Sequence, residues 1–298
     1  MRFAVIDIGS NTAKAEIYKY KDGSLELKKK YIEKDMIADH KDGGILDGEG
    51  IDILVNIMNR FRAVCHENGV YRIFPYATQS LRGISNADEV LEKIKKRAGL
   101  DVEIISGKKE AQLCFEAFAA DGGTDHGVLS DMGGGSTELN FIKDGNLVKS
   151  VSLPFGSRSV CHDFKIDIIP DTEQEKRIAE LADAYIKEFD LSSGMKQLYA
   201  CGGTSSGMFK LYSRLRGGSR SEAELTQLTD FYNLCKADKE KAIAAAKELT
   251  PERYDTVFAG IYAHICICSA LGCTVVKHCK STCRKGYAAA LIRNGYVK

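Results

Sequence analysis

Two short stretches concentrate the residue types that phosphate chemistry needs. Asp7 ends the apolar run FAVI and leads into Gly9-Ser10-Asn11-Thr12; Asp131 follows GVLS and leads into Gly133-Gly134-Gly135-Ser136 and then Glu138. Aligning Asp7 with Asp131 also matches Gly9 with Gly133 and Thr12 with Ser136. A strand that ends in Asp-x-Gly and turns through glycine and hydroxyl residues can aim backbone N–H groups at phosphate oxygens. Glycine allows the close approach, and the aspartate can hold magnesium directly or through water. One such loop alone reads first as a plain hairpin turn. Two in matching register point to phosphate binding.

Other chemically capable residues lie between and after these loops. Glu110 follows Ile105-Ser106-Gly107 at the start of an expected helix. A carboxylate at that junction can activate water, though taken alone it is more often a helix-start glutamate favoured by the dipole. Arg82, in ATQSLRGISN, can clamp phosphate oxygens with its planar fork or simply meet solvent. Gly202-Gly203-Thr204 forms another glycine turn, structural or ligand-binding. Lys210, Arg214, Arg216 and Arg220 make a basic run that either faces solvent or guides a polyanion.

The elements that must position these groups alternate between strand-like and helix-like, which argues for the α/β class. A strand is expected at 26–32, and a helix at 51–66, where Ile51, Leu54, Val55, Met58, Phe61 and Cys65 share a face. RIFPYAT at 72–78 reads as a strand entering a loop. Asn86 with Glu89 reads as a capping box for a helix at 87–98 that stops at Gly99. VEIIS at 102–106 is strand-like, and KKEAQLCFEAFAA is helical. Further helices are expected near 172–189, 238–248, 253–270 and 284–293, with a short strand at 274–277. DGGTDHG at 121–127 reads as an interdomain connection. The first domain is therefore placed at 1–121, with a final segment at about 284–298 folding back onto it, and the second at 122–283.

Composition narrows the function. With 298 residues the chain can bury two cores. A net charge of +1 gives no general attraction to nucleic acid or membrane, no apolar run reaches the ~20 residues of a membrane span, and no signal-peptide pattern opens the chain, so a cytoplasmic location is expected. The 10 cysteines contain no CxxC pair, so packing as small apolar residues is expected before metal ligation. The best metal alternative would put Cys279 and Cys283 on one helix face beside His278.

Taken together, the motifs resemble the Ppx/GppA family of exopolyphosphatases and guanosine pentaphosphate phosphohydrolases. DIGSN at 7–11 is similar to its first phosphate loop, ATQSLRGISN to its AT…R…N element, and EIISGKKEA at 103–111 to the segment carrying its catalytic glutamate. DMGGGSTEL at 131–139 resembles the second phosphate loop, SLPFGSRSV at 152–160 the strand and turn after it, CGGT at 201–204 a later glycine turn, and ERYDTVFAG at 252–260 its late ERxDxxxxG stretch.

The resemblance implies an actin-like fold of two ribonuclease-H-like domains, a duplication around a central cleft. It implies exopolyphosphatase activity on inorganic polyphosphate, with guanosine pentaphosphate as a second candidate substrate and a homodimer left open. Glu110 matches the general base. Asp7 and Asp131 would organise magnesium or another divalent cation, with Glu138 in support. Ser10, Asn11, Arg82, Gly134, Gly135 and Ser136 would hold the terminal phosphates. The chain departs from the family at Lys14, where arginine is common, and at Arg284-Lys285-Gly286, where Arg-Glu-Gly is usual. An arginine usual before the glycine-rich connection near 40–45 has no counterpart, and EAFAA stands where a glycine-valine pair is usual. An actin-like kinase or ATPase, an iron–sulfur activator ATPase and a non-catalytic polyphosphate or alarmone sensor share parts of this pattern.

Overall fold

The computed structural model describes residues 1–35, 37–191 and 194–297. The chain divides into two compact units, Met1–Ala117 with Cys283–Lys298, and Phe118–Thr282. The change of unit falls inside one helix, a few residues before DGGTDHG, and Lys298 lies outside the described residues.

The first unit is built on a five-stranded sheet. Its strands are β1 (Arg2–Ile8), β2 (Thr12–Lys21), β3 (Ser24–Lys34), β6 (Ile73–Ala77) and β7 (Glu103–Ile104), in the order β3-β2-β1-β6-β7; a separate two-stranded ribbon pairs β4 (Lys41–Asp42) with β5 (Ile45–Leu46). β1 pairs antiparallel with β2 and parallel with β6. Alternation along β1 sorts its side chains by face. Ile6 and Ile8 pack with Leu54, Met58 and Phe61 of helix α1 (Gly48–Glu67). Phe3 and Val5 pack with Tyr287, Ala288 and Leu291 of the C-terminal helix (Cys283–Arg293). Asp7 continues the second face, so the period of two delivers its carboxylate towards that helix. Each fully buried apolar side chain contributes about 1.5–3 kcal/mol, whereas the exposed Arg293–Glu116 ion pair adds at most about 1 kcal/mol. Apolar packing therefore outweighs that surface pair. Gly286 allows the closest approach: a Cβ there would stand 2.0 Å from the Leu113 carbonyl oxygen.

Helix α1 begins three residues before the expected 51–66. Gly48 and Gly50 lie outside the expected span, but Asp47 caps the helix by accepting from Gly50 N at 2.7 Å. The capping box expected at Asn86 is absent. Helix α2 (Gln79–Arg82) precedes it and α3 (Ala87–Ala98) follows, and the Asn86 amide is spent on the Leu46 backbone, accepting from its N at 3.0 Å and donating to its O at 2.9 Å. A tertiary bond has replaced the local cap. Gly99 ends α3 in the left-handed conformation as expected (φ 67°). Helix α4 (Gly107–Ala120) carries Glu110 in its first turn.

The second unit repeats the plan. Strands β8 (His126–Met132), β9 (Thr137–Lys143), β10 (Asn146–Leu153), β11 (Gln197–Cys201), β12 (Glu222–Glu224) and β13 (Val275–His278) form a sheet in the order β10-β9-β8-β11-β13-β12. The antiparallel β8–β9–β10 ribbon and the parallel β8–β11–β13 run match β1–β2–β3 and β1–β6–β7 in order and sense. The repeat read from two loops is thus a repeat of the whole sheet. Among the described residues six helices surround it: α5 (Ser157–Phe164), α6 (Thr172–Glu188), α7 (Gly202–Arg216), α8 (Leu225–Ala237), α9 (Lys239–Leu249) and α10 (Val257–Leu271). Helix α10 is apolar all round and almost wholly buried, as a core helix must be. No helix among the described residues is long and apolar enough to cross a membrane.

All ten cysteines are buried and none forms a disulfide. Cys279 precedes the last helix and Cys283 opens it, so the shared helix face imagined for a metal does not form. Burial pushes the Cys235 and Cys266 thiols up to about 12, which keeps them protonated and inert.

His264, at the centre of α10, is fully buried. Ser205 Oγ lies 3.2 Å from its Nε2 and the Gly260 carbonyl 3.1 Å from its Nδ1. Burial lowers its pKa to about 4, with the Gly260 carbonyl only partly opposing the shift. The unfolded chain binds a proton near pH 6.5 that the folded chain refuses, so stability is complete above that pH and is lost on acidification. The loss is on the order of 3 kcal/mol between pH 6.5 and 4. Urea unfolding across this window should show a smaller pH slope for His264→Gln than for the wild type; equal slopes would refute the assignment.

Candidate active site

In the first unit, the loop Gly9-Ser10-Asn11 joins β1 to β2. It is braced from one side by the segment after β3, whose Asp35 and Ala38 N–H groups donate to the Asn11 and Ser10 carbonyls at 3.3 and 3.2 Å. Ser80 Oγ donates to the Ile8 carbonyl at 2.5 Å from the other side. Ser10 and Asn11 are buried, and both polar atoms of the Asn11 amide lack a hydrogen-bond partner. A buried amide left unsatisfied costs about 1–3 kcal/mol, which marks this loop as built for a polar guest.

Asp7 is less available than its position suggests. Arg284 Nη1 donates to its Oδ2 at 2.7 Å, and Arg284 Nε lies 2.9 Å from Glu16 Oε1. Burial pushes the Glu16 carboxyl up, but the Arg284 guanidinium and the Tyr18 hydroxyl outweigh it and hold that group below the usual range. Lys14 is the cross-strand neighbour of Asp7, on the same face of the sheet. Two cations thus attend this aspartate.

Arg82 and Glu110 come together at the end of the same sheet. Arg82 Nη1 donates to the Ile105 carbonyl at 2.9 Å and to Glu110 Oε2 at 3.1 Å, while its Nη2 is buried without a partner. One face of the guanidinium holds the carboxylate, and a further N–H pair is left for an acceptor the protein does not supply. The Cys283 thiol, pushed well up chiefly by burial, also feels the negative charges of Glu110 and Asp7, which places both carboxylates around one point of the first unit.

In the second unit, the loop Gly133–Ser136 turns β8 into β9. Gly133 N donates to Ser136 O at 2.8 Å. The Gly133 and Gly134 carbonyls accept from Ser157, Arg158 and Ser159 at 3.0, 2.8 and 2.9 Å, so they satisfy the otherwise unpaired first turn of α5. Among the described residues, Gly134 and Gly135 donate their N–H groups to no backbone acceptor. The loop turns its carbonyls to a helix and keeps its donors for something else. Gly156 makes this possible, since a Cβ there would meet the Gly134 oxygen at 2.4 Å.

Asp131 differs from Asp7 in its surroundings. Its cross-strand neighbour is Glu138, an acid where the first loop has a lysine. Glu138 is buried and accepts from Ser152 Oγ at 2.7 Å. Gly202, at φ 85°, comes so close that a Cβ would stand 2.3 Å from Asp131 Oδ1. Two hard carboxylates on one face of a hairpin, under a backbone that leaves room, suit a small divalent cation.

Sequence reasoning gave no role to the residues that lock this loop. Arg253 is buried with its guanidinium 2.4 Å from where a Gly203 Cβ would be. Asp255 accepts from buried Arg158 Nη1 at 2.8 Å. A Cβ on Gly260 would meet Thr204 Cγ2 at 2.4 Å. Arg253, Asp255 and Gly260 are three of the four fixed positions of the ERYDTVFAG stretch, so its spacing is the spacing of contacts to the Gly203-Thr204 turn and to the start of α5, which braces the second loop. In the basic run, Arg214 and Arg216 are paired with Glu248 and Asp230, while Lys210 and Arg220 have no ion-pair partner among the described residues.

Known proteins share this plan. An exopolyphosphatase from Cytophaga hutchinsonii superposes with a TM-score of 0.85 at 19% identity, covering 99% of this chain and 98% of that one. A Ppx/GppA family member from Aquifex aeolicus superposes with a TM-score of 0.78 at 22% identity, covering 100% and 99%. These likenesses establish the actin-like two-domain fold. In sequence, Exopolyphosphatase 1 of Mycobacterium leprae is 26% identical over 96% of this chain and 88% of its own length. Guanosine-5'-triphosphate,3'-diphosphate pyrophosphatase of Vibrio atlanticus is 33% identical over 52% of this chain and 31% of its own. The family model of the Ppx/GppA phosphatases matches residues 17–293, and the chain belongs to that family.

Proposed function

We propose that this chain is a magnesium-dependent exopolyphosphatase that removes the terminal phosphate of inorganic polyphosphate, with guanosine pentaphosphate as a second substrate carrying the same kind of terminal anhydride. The observation that carries the reading is the Arg82–Glu110 pair, a carboxylate held at a helix start beside a guanidinium with a buried, unpartnered N–H group. That is the arrangement in which one group takes a proton from water while the other draws a phosphate oxygen.

In this reading Glu110 accepts a proton as the water oxygen forms its bond to the terminal phosphorus. The bridging P–O bond breaks on the opposite side, and the shortened chain departs as an anion. Arg82 orients Glu110 and binds a phosphate oxygen. Ser10 and the Asn11 amide hold further oxygens from the first loop. In the second loop the N–H groups of Gly134 and Gly135 and the Ser136 hydroxyl receive phosphate oxygens, where fixed donors stabilise developing charge. Asp131 and Glu138 would hold magnesium in the second unit, and Asp7, already balanced by Arg284, is the corresponding carboxylate of the first; when bound, the cation would supply charge neutralisation at the phosphate oxygens. We place the protein in the cytoplasm, where free thiols stay reduced.

The reading is tested by orthophosphate release from long-chain polyphosphate. Release should stop on adding EDTA and return with excess magnesium. Release that survives complete chelation would refute the cation requirement, and none under any divalent cation would refute the hydrolase.

A further inference from the structure

Three buried polar atoms are left without partners at one place beside the first phosphate loop. Thr12 pairs with Lys34 at the end of the β2–β3 ribbon, and the next backbone bond runs from Asp35 N to Asn11 O at 3.3 Å, so the register carries on to Asn11 and Asp35. Residues directly opposite in an antiparallel pair project to the same face, with Cβ atoms about 4.5–5.5 Å apart. The two residues are only 4% and 1% exposed. Neither polar atom of the Asn11 amide has a partner, nor has Asp35 Oδ2, while Asp35 Oδ1 accepts from Ile37 N at 3.5 Å. Buried polar groups in folded chains are nearly always paired, so two unpaired ones facing each other need an explanation.

The donor count decides how they can meet. An amide offers one acceptor oxygen and one NH2; an ionised carboxylate only accepts, and a protonated one gains a single O–H donor. An ionised Asp35 would take the Asn11 NH2 and leave the Asn11 oxygen facing a phosphate oxygen, acceptor against acceptor. A protonated Asp35 donates from Oδ2 to Asn11 Oδ1 and frees the NH2 for the phosphate. The surroundings favour the proton. Burial chiefly pushes the Asp35 carboxyl well above its usual range, and the Asp7 charge adds to the push; the Ile37 N–H and the Lys14 charge only partly oppose it. Lys41 is also within electrostatic reach, but its ammonium donates to the Gln79 carbonyl at 3.2 Å, and burial lowers its own pKa to about 8.

We propose that Asp35 is a positioning residue for the reaction: carrying its proton, it donates to Asn11 Oδ1 and so turns the Asn11 NH2 towards the phosphate held at the first loop. The proposal rests on the polyphosphatase reading, in which the Asn11 amide binds a phosphate oxygen, and deepens it by naming what orients that amide. Asp35 itself does not touch the substrate.

The test measures binding of fluorescently labelled polyphosphate, and KM against kcat, for Asp35→Asn and Asp35→Ala in the wild-type and Asn11→Ala backgrounds. Asparagine keeps an N–H donor for Asn11 Oδ1, so Asp35→Asn should bind within about twofold of the wild type. Asp35→Ala should raise Kd and KM about fivefold, the loss of roughly one hydrogen bond, with little change in kcat. In the Asn11→Ala background Asp35→Ala should add nothing, because its effect passes through that amide. An equal loss in both backgrounds, or none in either, would overturn the proposal. Infrared spectra of the wild type and Asp35→Asn supply a readout independent of substrate and of the alanine variant's folding. The wild type should show a protonated-carboxyl band at neutral pH that Asp35→Asn lacks, and its absence would overturn the proposal. A wild type that shows the band and the binding pattern yet releases no orthophosphate keeps the positioning role and rejects the hydrolase. A thermal melt of each variant checks that the fold is intact.

Discussion

Replacing Glu110 by glutamine lowers kcat for phosphate release from polyphosphate by about 100- to 10,000-fold, while equilibrium binding of the chain is retained. The two side chains have the same shape. Glutamine keeps a carbonyl oxygen that can accept from Arg82 Nη1, now at 3.1 Å from the carboxylate, so the guanidinium stays in place. What is lost is the ability to take a proton from the attacking water. The Arg82 N–H groups, the Asn11 amide and the second loop are untouched, which is why affinity survives. A variant whose kcat falls less than tenfold would show that the base lies elsewhere. One that loses binding and turnover together would show that Glu110 builds the site rather than acts in it. Stopped-flow phosphate release together with titration of labelled polyphosphate separates these outcomes.

The largest effect on stability is expected at Arg284. Its guanidinium lies between Asp7 and Glu16, and the side chains of Arg284 and Glu16 are only 7% and 4% exposed. Arg284→Met keeps the bulk but leaves two carboxylates in a nearly dry place with no guanidinium between them. Breaking a buried pair in this way costs about 3–5 kcal/mol, read from urea unfolding at neutral pH. The sign of the pH dependence follows from Glu16, whose carboxyl is held below its ordinary range in the fold. In the wild type, the stabilisation it supplies is present above the unfolded pKa and is lost as pH falls through the folded one. In the variant, acid protonates the stranded carboxylates, so the deficit should shrink at low pH. A loss under about 1 kcal/mol, or one independent of pH, would mean that the pair contributes little.

Much of the site was legible because the chemistry there is written in backbone. Glycine loops, strand ends and a helix-start glutamate are local features, and their order along the chain carried both the duplication and the family. The electrostatic difference between the two loops was hidden. Asp7 and Asp131 look equivalent in sequence, and only register shows that one faces Lys14 and the other Glu138. Arg284 was visible only as part of an Arg-Lys-Gly element, because its partners lie at the other end of the chain. The Asn86 cap failed for the same reason: Leu46 is remote in sequence and offers a better bond than the helix start. The strand at 102–106 proved shorter, Glu103–Ile104, since only Tyr76 and Ala77 reach far enough to pair with it. Helix α8 and strand β12 went unread because their few apolar positions, Leu228, Phe231, Tyr232 and Ala223, acquire a direction only from the core they join.

The central claim is that water attacks the terminal phosphate of a polyphosphate chain. It is tested most directly by mass spectrometry of the orthophosphate released from long-chain polyphosphate by the wild type, with magnesium, in water enriched in oxygen-18. The account predicts one labelled oxygen in each orthophosphate and a residual chain shortened from its end. Binding of the chain without release of phosphate, or phosphate appearing on an acceptor without the label, would contradict it.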